Sequence, residues 1–275
     1  MQLLYEGKAK QLFATEDPST IIVRFTDNVT AGNGKKRETI PGKGALTAHI
    51  SIQLFELLSR QNIPTHYIRQ LDDQSFLAKK VQIIPLEVVV RTCAAGSIVK
   101  RLGLARGHIF TPPLVELFYK SDTLHDPLIC DTHALALHLA TAEELAHIKE
   151  LARRAAALLT EYFAQRELRL VDMKFEFGRD LTPQPPSLKG KGELSPPRVG
   201  EGLGEGAQIL LADEISPDTM RLWDARTNES FDKDVFREDK GDLLATYREV
   251  ARRLGIHPHP QSPLRGRGGQ RDEGG

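Results

Sequence analysis

The sequence is poor in cysteine, with Cys93 and Cys130 the only two in 275 residues. Two cysteines form neither a disulfide framework nor a four-cysteine zinc site, which excludes the disulfide-rich secreted class and favours a reducing compartment. No stretch approaches the roughly 18 apolar residues that a membrane span needs. The N-terminal MQLLYEGKAK lacks the apolar run and cleavage site of a signal peptide. We therefore expect a cytoplasmic protein with no membrane partner.

Neither sign of charge is in excess, since Lys plus Arg and Asp plus Glu each total 37. Without a global field the chain is not expected to bind nucleic acid, and any anion site must be built locally. Two familiar phosphate loops are also absent. No Gly-x-Gly-x-x-Gly opens a helix after a strand, and no Gly-Lys precedes Ser or Thr. A dinucleotide-binding enzyme and a Walker-type NTPase are therefore disfavoured.

The first part of the chain, residues 1–85, predicts a domain made of an antiparallel sheet and one helix. A hairpin turn is expected at Asp72-Asp73, and the stretch NVTAGNGKKRETIPGKG, rich in Gly and Lys, predicts a long mobile loop. The helix is predicted over ALTAHISIQLFELLSRQN, where apolar residues recur at helical spacing. The predicted strands before the loop are LLYEG, AKQLFAT and TIIVRFTD.

Residues 86–256 predict a second domain of mixed strands and helices. Its best helix begins at Thr141, which forms a capping box with Glu144. Because the elements do not alternate as regular βαβ units, the predicted fold class is α+β. Expected strands lie in PLEVVVRT, LVDMKFEFG and QILLADE, and the apolar stripe of the best helix comprises Leu145, Ile148, Leu151, Ala155, Leu158 and Tyr162.

Two segments have the composition of disordered chain. Residues 181–207 and the tail 257–275 are dominated by Pro, Gly, Ser and charge. They share a pattern, since PSLKGKG in the first resembles SPLRGRG in the second. We expect both to be disordered additions without a catalytic role, and a basic interaction tail is the alternative.

The stretch LVDMKFEFG carries an unusual pattern of charge. In a strand, Val171, Met173, Phe175 and Phe177 face one side and suit a core, whereas Asp172, Lys174 and Glu176 face the other. Such a charged face is typical either of a solvated surface with mutual charge pairing or of a site for metal and phosphate. The residues alone leave both interpretations open.

Three further motifs are candidates for phosphate or metal chemistry. In YEGKAK, Gly7 allows a tight hairpin that lies over phosphates, the alternative being an exposed lysine-rich hairpin. In RTCAAGS, Arg91 and the helix start at Ser97 suit a phosphomonoester, unless Ser97 is only an N-cap. In LADEISPDTMR, Asp213 joins Glu176 as a carboxylate pair for Mg²⁺, and a plain charged turn is the alternative.

Taken together, these motifs resemble the SAICAR synthetases (phosphoribosylaminoimidazole-succinocarboxamide synthases) of purine biosynthesis. The matching pieces follow the family's order over residues 3 to about 255: YEGKAKQLF, AGNGKKRE, PLEVVVRTCAAGSIVKR, LVDMKFEFG, LADEISPDTMRLWD and DKDVFR. The chain departs from the family by placing about 27 residues after EFG, where the family has a short connection.

The resemblance implies a kinase-like N-terminal lobe of antiparallel sheet plus helix, packed on an ATP-grasp-like α+β C-terminal domain. It implies an ATP-dependent ligase that joins L-aspartate to the carboxylate of carboxyaminoimidazole ribonucleotide (CAIR), giving SAICAR, ADP and phosphate. The implied partners are these small molecules with Mg²⁺. The oligomeric state stays open, with a homodimer among the alternatives.

The resemblance also implies roles for individual residues. Lys174 would neutralise the CAIR carboxylate or the transferring phosphoryl group, and Asp172 would orient Lys174 or bind substrate. The implied nucleotide site comprises Gly7, Lys8, Ala9, Lys10 and Lys79, together with Glu176 and Asp213 as the Mg²⁺ ligands. The implied sites for the ribonucleotide and for aspartate comprise Arg91, Ser97, Asp218, Arg221, Lys120 and Arg237.

Two other functions are consistent with the same residues. One is a small-molecule kinase on a related fold, which would transfer phosphate to its product instead of releasing it. The other is a nucleotide-binding module disabled by the inserted residues, which would bind ATP without turnover.

Overall fold

The computed structural model describes residues 1–31, 36–181 and 207–256. The strands are β1 (Leu3–Glu6), β2 (Lys10–Ala14), β3 (Thr20–Phe25), β4 (Asn28–Ala31), β5 (Lys36–Thr39), β6 (Tyr67–Gln70), β7 (Ser75–Lys79), β8 (Val81–Cys93), β9 (Ile109–Tyr119), β10 (Leu128–Ile129), β11 (Leu168–Asp180), β12 (Gln208–Ala212) and β13 (Met220–Asp224). The helices are α1 (Lys43–Arg60), α2 (Ser97–Leu102), α3 (Asp131–Ala136), α4 (Ala142–Ala164), α5 (Asp234–Arg237) and α6 (Leu243–Arg253). The predicted α+β class is confirmed.

The first sheet has the strand order β1-β2-β3-β7-β6, and its neighbouring strands are antiparallel. Alternation along β3 buries Ile21, Val23 and Phe25, whose face packs against α1. The predicted strands, the helix and the hairpin after Gln70 are therefore all present.

The loop predicted over NVTAGNGKKRETIPGKG is wrong for most of its length. Strands β4 and β5 pair there as an antiparallel hairpin, from Asn28↔Thr39 to Ala31↔Lys36. Val29 is fully buried, and the burial of this one apolar side chain outweighs the Gly and Lys content that suggested a loop. Residues 32–35 lie outside the described part of the chain, residues 40–42 connect β5 to α1, and Lys43 and Gly44 already belong to α1.

The second sheet is organised around β11, which pairs with β8 along one edge and with two short strands along the other. On that second edge β12 ends opposite Glu176, through Ala212, whereas β13 begins opposite Met173, through Met220. The connection between them, residues 213–219, therefore leaves the sheet beside the middle of β11. The amide of Lys174 donates to the carbonyl of Thr219 at that point, at 2.9 Å.

Helix α4 begins as predicted. The Thr141 hydroxyl accepts from the Glu144 amide at 3.2 Å, and the Glu144 carboxylate accepts from the Thr141 amide at 2.9 Å. The buried face ends on Leu159 and Phe163, whereas the predicted Leu158 and Tyr162 are only half-buried. A spacing of seven residues falls about 20° short of two full helical turns, so the predicted stripe drifts off the core.

The change of sheet occurs at residue 80, because β7 ends the first sheet and β8 enters the second. The predicted domain boundary near residue 85 falls inside β8, and the division into two domains stays a prediction.

Two segments were expected to be disordered, residues 181–207 and 257–275. Almost all of these residues lie outside the described ranges, so this expectation stays a prediction. Within those ranges, no helix is long and apolar enough to cross a membrane.

The pairing of β11 with β12 predicts that the long connection between them is dispensable for folding. Asp180 pairs with Gln208, so residues 181–207 start and end on adjacent strands. Replacing them by a short Gly-Ser turn should preserve the fold and raise Tm slightly, because each halving of a flexible loop lowers its closure cost by about 0.6 kcal/mol. Thermal unfolding followed by circular dichroism measures this. The control carries a scrambled 182–206, and a lower Tm in the shortened chain than in this control would contradict the prediction.

Candidate active site

An open cleft with a volume of about 460 Å³ lies between the two sheets. Its floor is the charged face of β11, its far wall is formed by the 213–219 connection and β13, and the β1–β2 turn covers its mouth. The cleft lining includes all but two of the predicted site residues: Gly7, Lys8, Ala9, Lys10, Arg91, Lys120, Asp172, Lys174, Glu176, Asp213, Asp218, Arg221 and Arg237.

The charged face of β11 lines the cleft and is not a solvated surface. The apolar partners on the opposite face, from Val171 to Phe177, are buried, and so are the carboxylates of Asp172 and Glu176. Strand β8 extends the same face, because Arg91 lies opposite Asp172 and Glu87 lies opposite Glu176. Two neighbouring strands therefore place acidic and basic side chains alternately on one floor.

At one end of the floor, Asp172 holds two arginines. Its carboxylate accepts from Arg91 Nη1 at 2.5 Å and from Arg221 Nη1 at 2.9 Å. Glu116 and Asp234 bind the remaining sides of the guanidinium groups, at 2.6 Å from Arg91 Nε and 2.7 Å from Arg221 Nε. Because two different carboxylates hold each guanidinium group, both planes are fixed, so the arginines are preorganised for an anion.

These contacts correct one expectation, that Asp172 orients Lys174. Asp172 binds the two arginines, whereas the Lys174 ammonium donates to Glu87 at 2.8 Å and to Glu176 at 2.7 Å. Burial opposes the charge on Lys174, but the carboxylates of Glu176, Asp213 and Glu87 outweigh it and raise the Lys174 pKa well above its ordinary value. Lys174 is therefore a fixed positive charge at the centre of the floor.

At the other end of the floor, lysines meet carboxylates from different elements. Glu176 accepts from Lys120 as well as from Lys174. Lys10 contacts both Asp213 and Glu214, the latter at 2.9 Å. Burial opposes ionisation of Asp213, but Lys10 and the neighbouring lysines hold its pKa well below the usual range. Asp213 is thus kept ionised as an oxygen donor, and Glu176 lies beside the cations at the same end of the floor.

The backbone at Asp213 has φ +63°, a left-handed conformation that non-glycine residues rarely adopt. Asp213 is the first residue after β12, so this conformation turns the chain out of the sheet and toward the cleft. Strained residues of this kind persist where the surroundings fix them. Here Lys10 supplies one such constraint.

The β1–β2 turn lies at the mouth of the cleft. The Gly7 amide donates to the Lys10 carbonyl at 2.8 Å, which closes the hairpin, and Tyr5 lies 3.1 Å from the position of a Cβ at Gly7. Lys8 reaches across the mouth to Asp122 at 3.0 Å, and both side chains are exposed. An exposed ion pair is worth little, so this bridge does not hold the turn closed.

On the far wall, Asp218 is held more tightly than a ribose-binding role requires. Its two oxygens accept from Lys43 and, at 2.9 Å, from the Tyr247 hydroxyl. Arg237 lies beside it in the lining and donates to Asp234 at 2.5 Å. The role predicted for Asp218 stays a prediction, and its contacts place it in a buried network.

Two predicted residues lie outside the cleft lining. Lys79 donates to Asp180 at 2.8 Å, four residues along β11 from Glu176. Ser97 is exposed, and its role at the phosphate site stays a prediction. The alternative that Ser97 caps α2 is wrong, because Gly96 occupies the cap position and no side chain caps the helix. Gly96 instead packs on the Arg221 guanidinium.

Sequence reasoning missed Glu87, Lys43 and Lys233. Glu87 had a readable signal, since it alternates with Val89 and Arg91 and so shares their face. Lys43 lay in the stretch interpreted as a loop. Lys233 lines the far wall, and its pKa is lowered by burial, despite the nearby Asp218 carboxylate.

A cleft with fixed ammonium and guanidinium groups, each paired with ionised carboxylates, is typical of an enzyme that handles anionic, phosphate-bearing substrates. The SAICAR synthetase family profile matches residues 3–184 and 201–254. The chain belongs to the SAICAR synthetase family.

Individual relatives agree with the family. A phosphoribosylaminoimidazole-succinocarboxamide synthase of Anoxybacillus flavithermus is 46% identical over 253 residues, which are 92% of this chain and 95% of that protein. The synthase structure from Ehrlichia chaffeensis is 40% identical, with a TM-score of 0.83, and covers 94% of this chain and 100% of its own. A SAICAR synthetase in complex with ADP is 40% identical with a TM-score of 0.82, over 94% of this chain and all of its own. The resemblance read from the sequence is confirmed, and the family match omits residues 185–200, within the inserted segment.

The packing of Gly96 predicts a specific way to displace Arg221. A Cβ at Gly96, where φ is +62°, would lie 2.6 Å from Arg221 Nη2, whereas one at Gly103, where φ is +63°, would meet nothing within 4 Å. The two backbones also differ, because Gly96 has ψ −135°, a conformation that essentially only glycine adopts, whereas Gly103 has ψ +29° and lies in the left-handed helical region. Gly96→Ala should therefore lose more unfolding free energy than Gly103→Ala in chemical denaturation, through backbone strain and the clash with Arg221 together. Equal losses in the two variants would contradict this prediction.

Proposed function

We propose that the cleft joins L-aspartate to the carboxylate of CAIR at the expense of ATP, releasing SAICAR, ADP and phosphate. The observation that carries this proposal is the charged floor, with Lys174 fixed between Glu87 and Glu176 and two arginines fixed by Asp172. One surface thus offers a site for a reacting carboxylate beside a site for a remote phosphate. The ligase activity of the SAICAR synthetase family needs both.

The chemistry requires activation of a carboxylate. Oxide is a poor leaving group, so ATP first phosphorylates the CAIR carboxylate, and the aspartate amine then attacks the acyl phosphate. One carboxylate oxygen leaves with the phosphate and the other remains in the amide. No protein group needs to form a covalent bond, and catalysis rests on positioning and charge neutralisation. Lys174 supplies a fixed charge for the CAIR carboxylate or the transferring phosphoryl group.

We assign the nucleotide to the end of the cleft under the β1–β2 turn. Gly7, Lys8 and Ala9 would cover its phosphates, and Lys10 would contact them. The relative described as a complex with ADP supports nucleotide binding in this fold. Lys79 drops out of this assignment, because it donates to Asp180 outside the cleft lining.

The donor set at this end fits Mg²⁺. Glu176 and Asp213 both line the cleft, and Asp213 directly follows Ala212, the residue paired with Glu176, so the two carboxylates face one space. The described residues hold no group of three or more metal-ligating side chains, but a nucleotide-bound Mg²⁺ needs only one or two carboxylates, since phosphate and water complete its shell. When bound, the ion would neutralise phosphate charge, and Glu176 and Asp213 would hold it.

We assign the ribonucleotide phosphate to Arg91 and Arg221, which Asp172 preorganises. Ser97 stays a weaker member of this site, because its side chain lies outside the cleft lining. Lys120 and Arg237 lie in the lining and are proposed for aspartate or another anion. A cytoplasmic location and a homodimer belong to the same proposal, and the two free cysteines are consistent with a reducing compartment.

An assay for phosphate release tests the proposed function. Release should require CAIR and aspartate together with ATP. Transfer of phosphate to a stable product instead would identify a small-molecule kinase. Nucleotide binding without any turnover would identify a disabled binding module.

The metal assignment predicts the loss of turnover in two variants that keep side-chain volume. Glu176→Gln and Asp213→Asn each remove one charged oxygen donor, which should cost several kcal/mol of transition-state stabilisation. We expect kcat to fall at least a hundredfold, while circular dichroism stays that of the native protein. The control is Glu229→Gln on the exposed surface. Full activity in either folded variant would refute the metal site.

A further inference from the structure

Lys43 occupies an unusual position for a lysine. It is the first residue of α1, where the positive end of the helix dipole disfavours a cation, and α1 has no acidic residue in its first turn. Its side chain is also only 1% exposed, although lysine is rarely buried without a partner. Charges kept in such positions are costly and often mark functional sites.

The partner of Lys43 is Asp218 on the far wall of the cleft. The Lys43 ammonium donates to Asp218 Oδ2, and the Asp218 side chain is 3% exposed. The other oxygen, Oδ1, accepts from the Tyr247 hydroxyl at 2.9 Å and lies 3.6 Å from Lys233 Nζ. This one carboxylate therefore ties together the start of α1, helix α6 and the 213–219 connection.

Further contacts from the first part of the chain hold the same connection. Ser51 on α1 accepts from the Ile215 amide at 3.1 Å, and Lys10 on β2 contacts Glu214 at 2.9 Å. Within the connection, the Ser216 hydroxyl accepts from the Asp218 amide at 3.1 Å and donates to Glu214 at 2.5 Å. The connection between β12 and β13 is thus fixed by α1 and β2, outside its own sheet.

We propose that Lys43 is a positioning residue for ribonucleotide binding: through Asp218 it fixes the 213–219 connection and so the placement of Arg221 on β13. Lys43 itself does not touch substrate. It acts on the end of the connection that leads through Asp218 into β13, on the side of the cleft assigned to CAIR. Asp213, at the other end, is held separately by Lys10, so the nucleotide side keeps its own support. This inference rests on the proposed function, because its test measures the KM for CAIR.

The test is Lys43→Met, which keeps the length of the side chain and removes its charge. The KM for CAIR should rise about tenfold or more, as for a lost charge-assisted contact, while the KM for ATP stays within twofold. A merely stabilising role would lower Tm and the active fraction and leave both KM values unchanged. Lys80→Met, at an exposed site outside the cleft, is the control and should match the wild type.

A double variant separates positioning from stability. Lys43→Met leaves the buried Asp218 carboxylate without its main partner, and adding Asp218→Asn removes that unpaired charge, so Tm should recover. The KM for CAIR should nevertheless equal that of Asp218→Asn alone, because Lys43 acts only through Asp218. Multiplicative effects of the two changes on KM would overturn the proposal.

If Lys43→Met does not fold, Tyr247→Phe provides a second test of the proposal. This variant removes the hydrogen bond from the Tyr247 hydroxyl to Asp218, which is weaker than the Lys43 ion pair. It should raise the KM for CAIR about threefold or more and leave the KM for ATP unchanged. Unchanged KM for CAIR in this folded variant would overturn the proposal. A wild type without CAIR-dependent phosphate release would instead defeat the proposed function, so the two failures are distinguishable.

Discussion

The structure depends on the compensation of buried charge across β8 and β11. Asp172 lies between two guanidinium groups, and Lys174 lies between two carboxylates, at a depth where an unpaired charge costs several kcal/mol. Each charged side chain therefore holds its neighbours in place. The same alternation of acidic and basic residues would be ordinary on a solvated strand. Here it forms a rigid array, because β11 is a central strand and its opposite face packs in the hydrophobic core.

Under the proposed assignment, this array lets one strand serve two substrates. The side chains of Asp172 and Glu176 lie four positions apart on one strand face, roughly 13 Å at a rise of about 3.3 Å per residue. One end offers arginines, whose planar guanidinium groups suit the oxygens of a phosphomonoester, and the other offers carboxylates, which suit a metal-bound nucleotide. Lys174 stands between the two ends, where a carboxylate and a γ-phosphate would meet. The split of the second edge into β12 and β13 opens the sheet at that position.

Much of the fold and of the candidate site could be predicted from the sequence, because the signals involved are local. The alternation in LVDMKFEFG, the capping box at Thr141 and the helix around Leu54 depend on residues close in the chain. The site residues predicted from the family's motifs likewise nearly all line the same cleft. The β4–β5 hairpin was missed because one buried valine carries little weight against many glycines and lysines.

The sequence did not predict which side chains from distant parts of the chain contact each other. Lys79 was expected at the nucleotide but binds Asp180, and Lys43 lies in an apparent loop but reaches Asp218, 175 positions away. Pairing register decides whether Asp172 meets a lysine two residues along or an arginine on the next strand. Such choices are set by tertiary packing, which no local pattern encodes.

The central claim is that the two ends of the β11 face bind different ligands. Titration calorimetry of ADP with Mg²⁺ and of CAIR, on Arg221→Ala and on Glu176→Gln, tests it directly. The account predicts a crossed pattern: Arg221→Ala weakens CAIR about 10- to 150-fold and leaves ADP unchanged, and Glu176→Gln weakens ADP with Mg²⁺ and leaves CAIR unchanged. Equal losses for both ligands in both variants would contradict it.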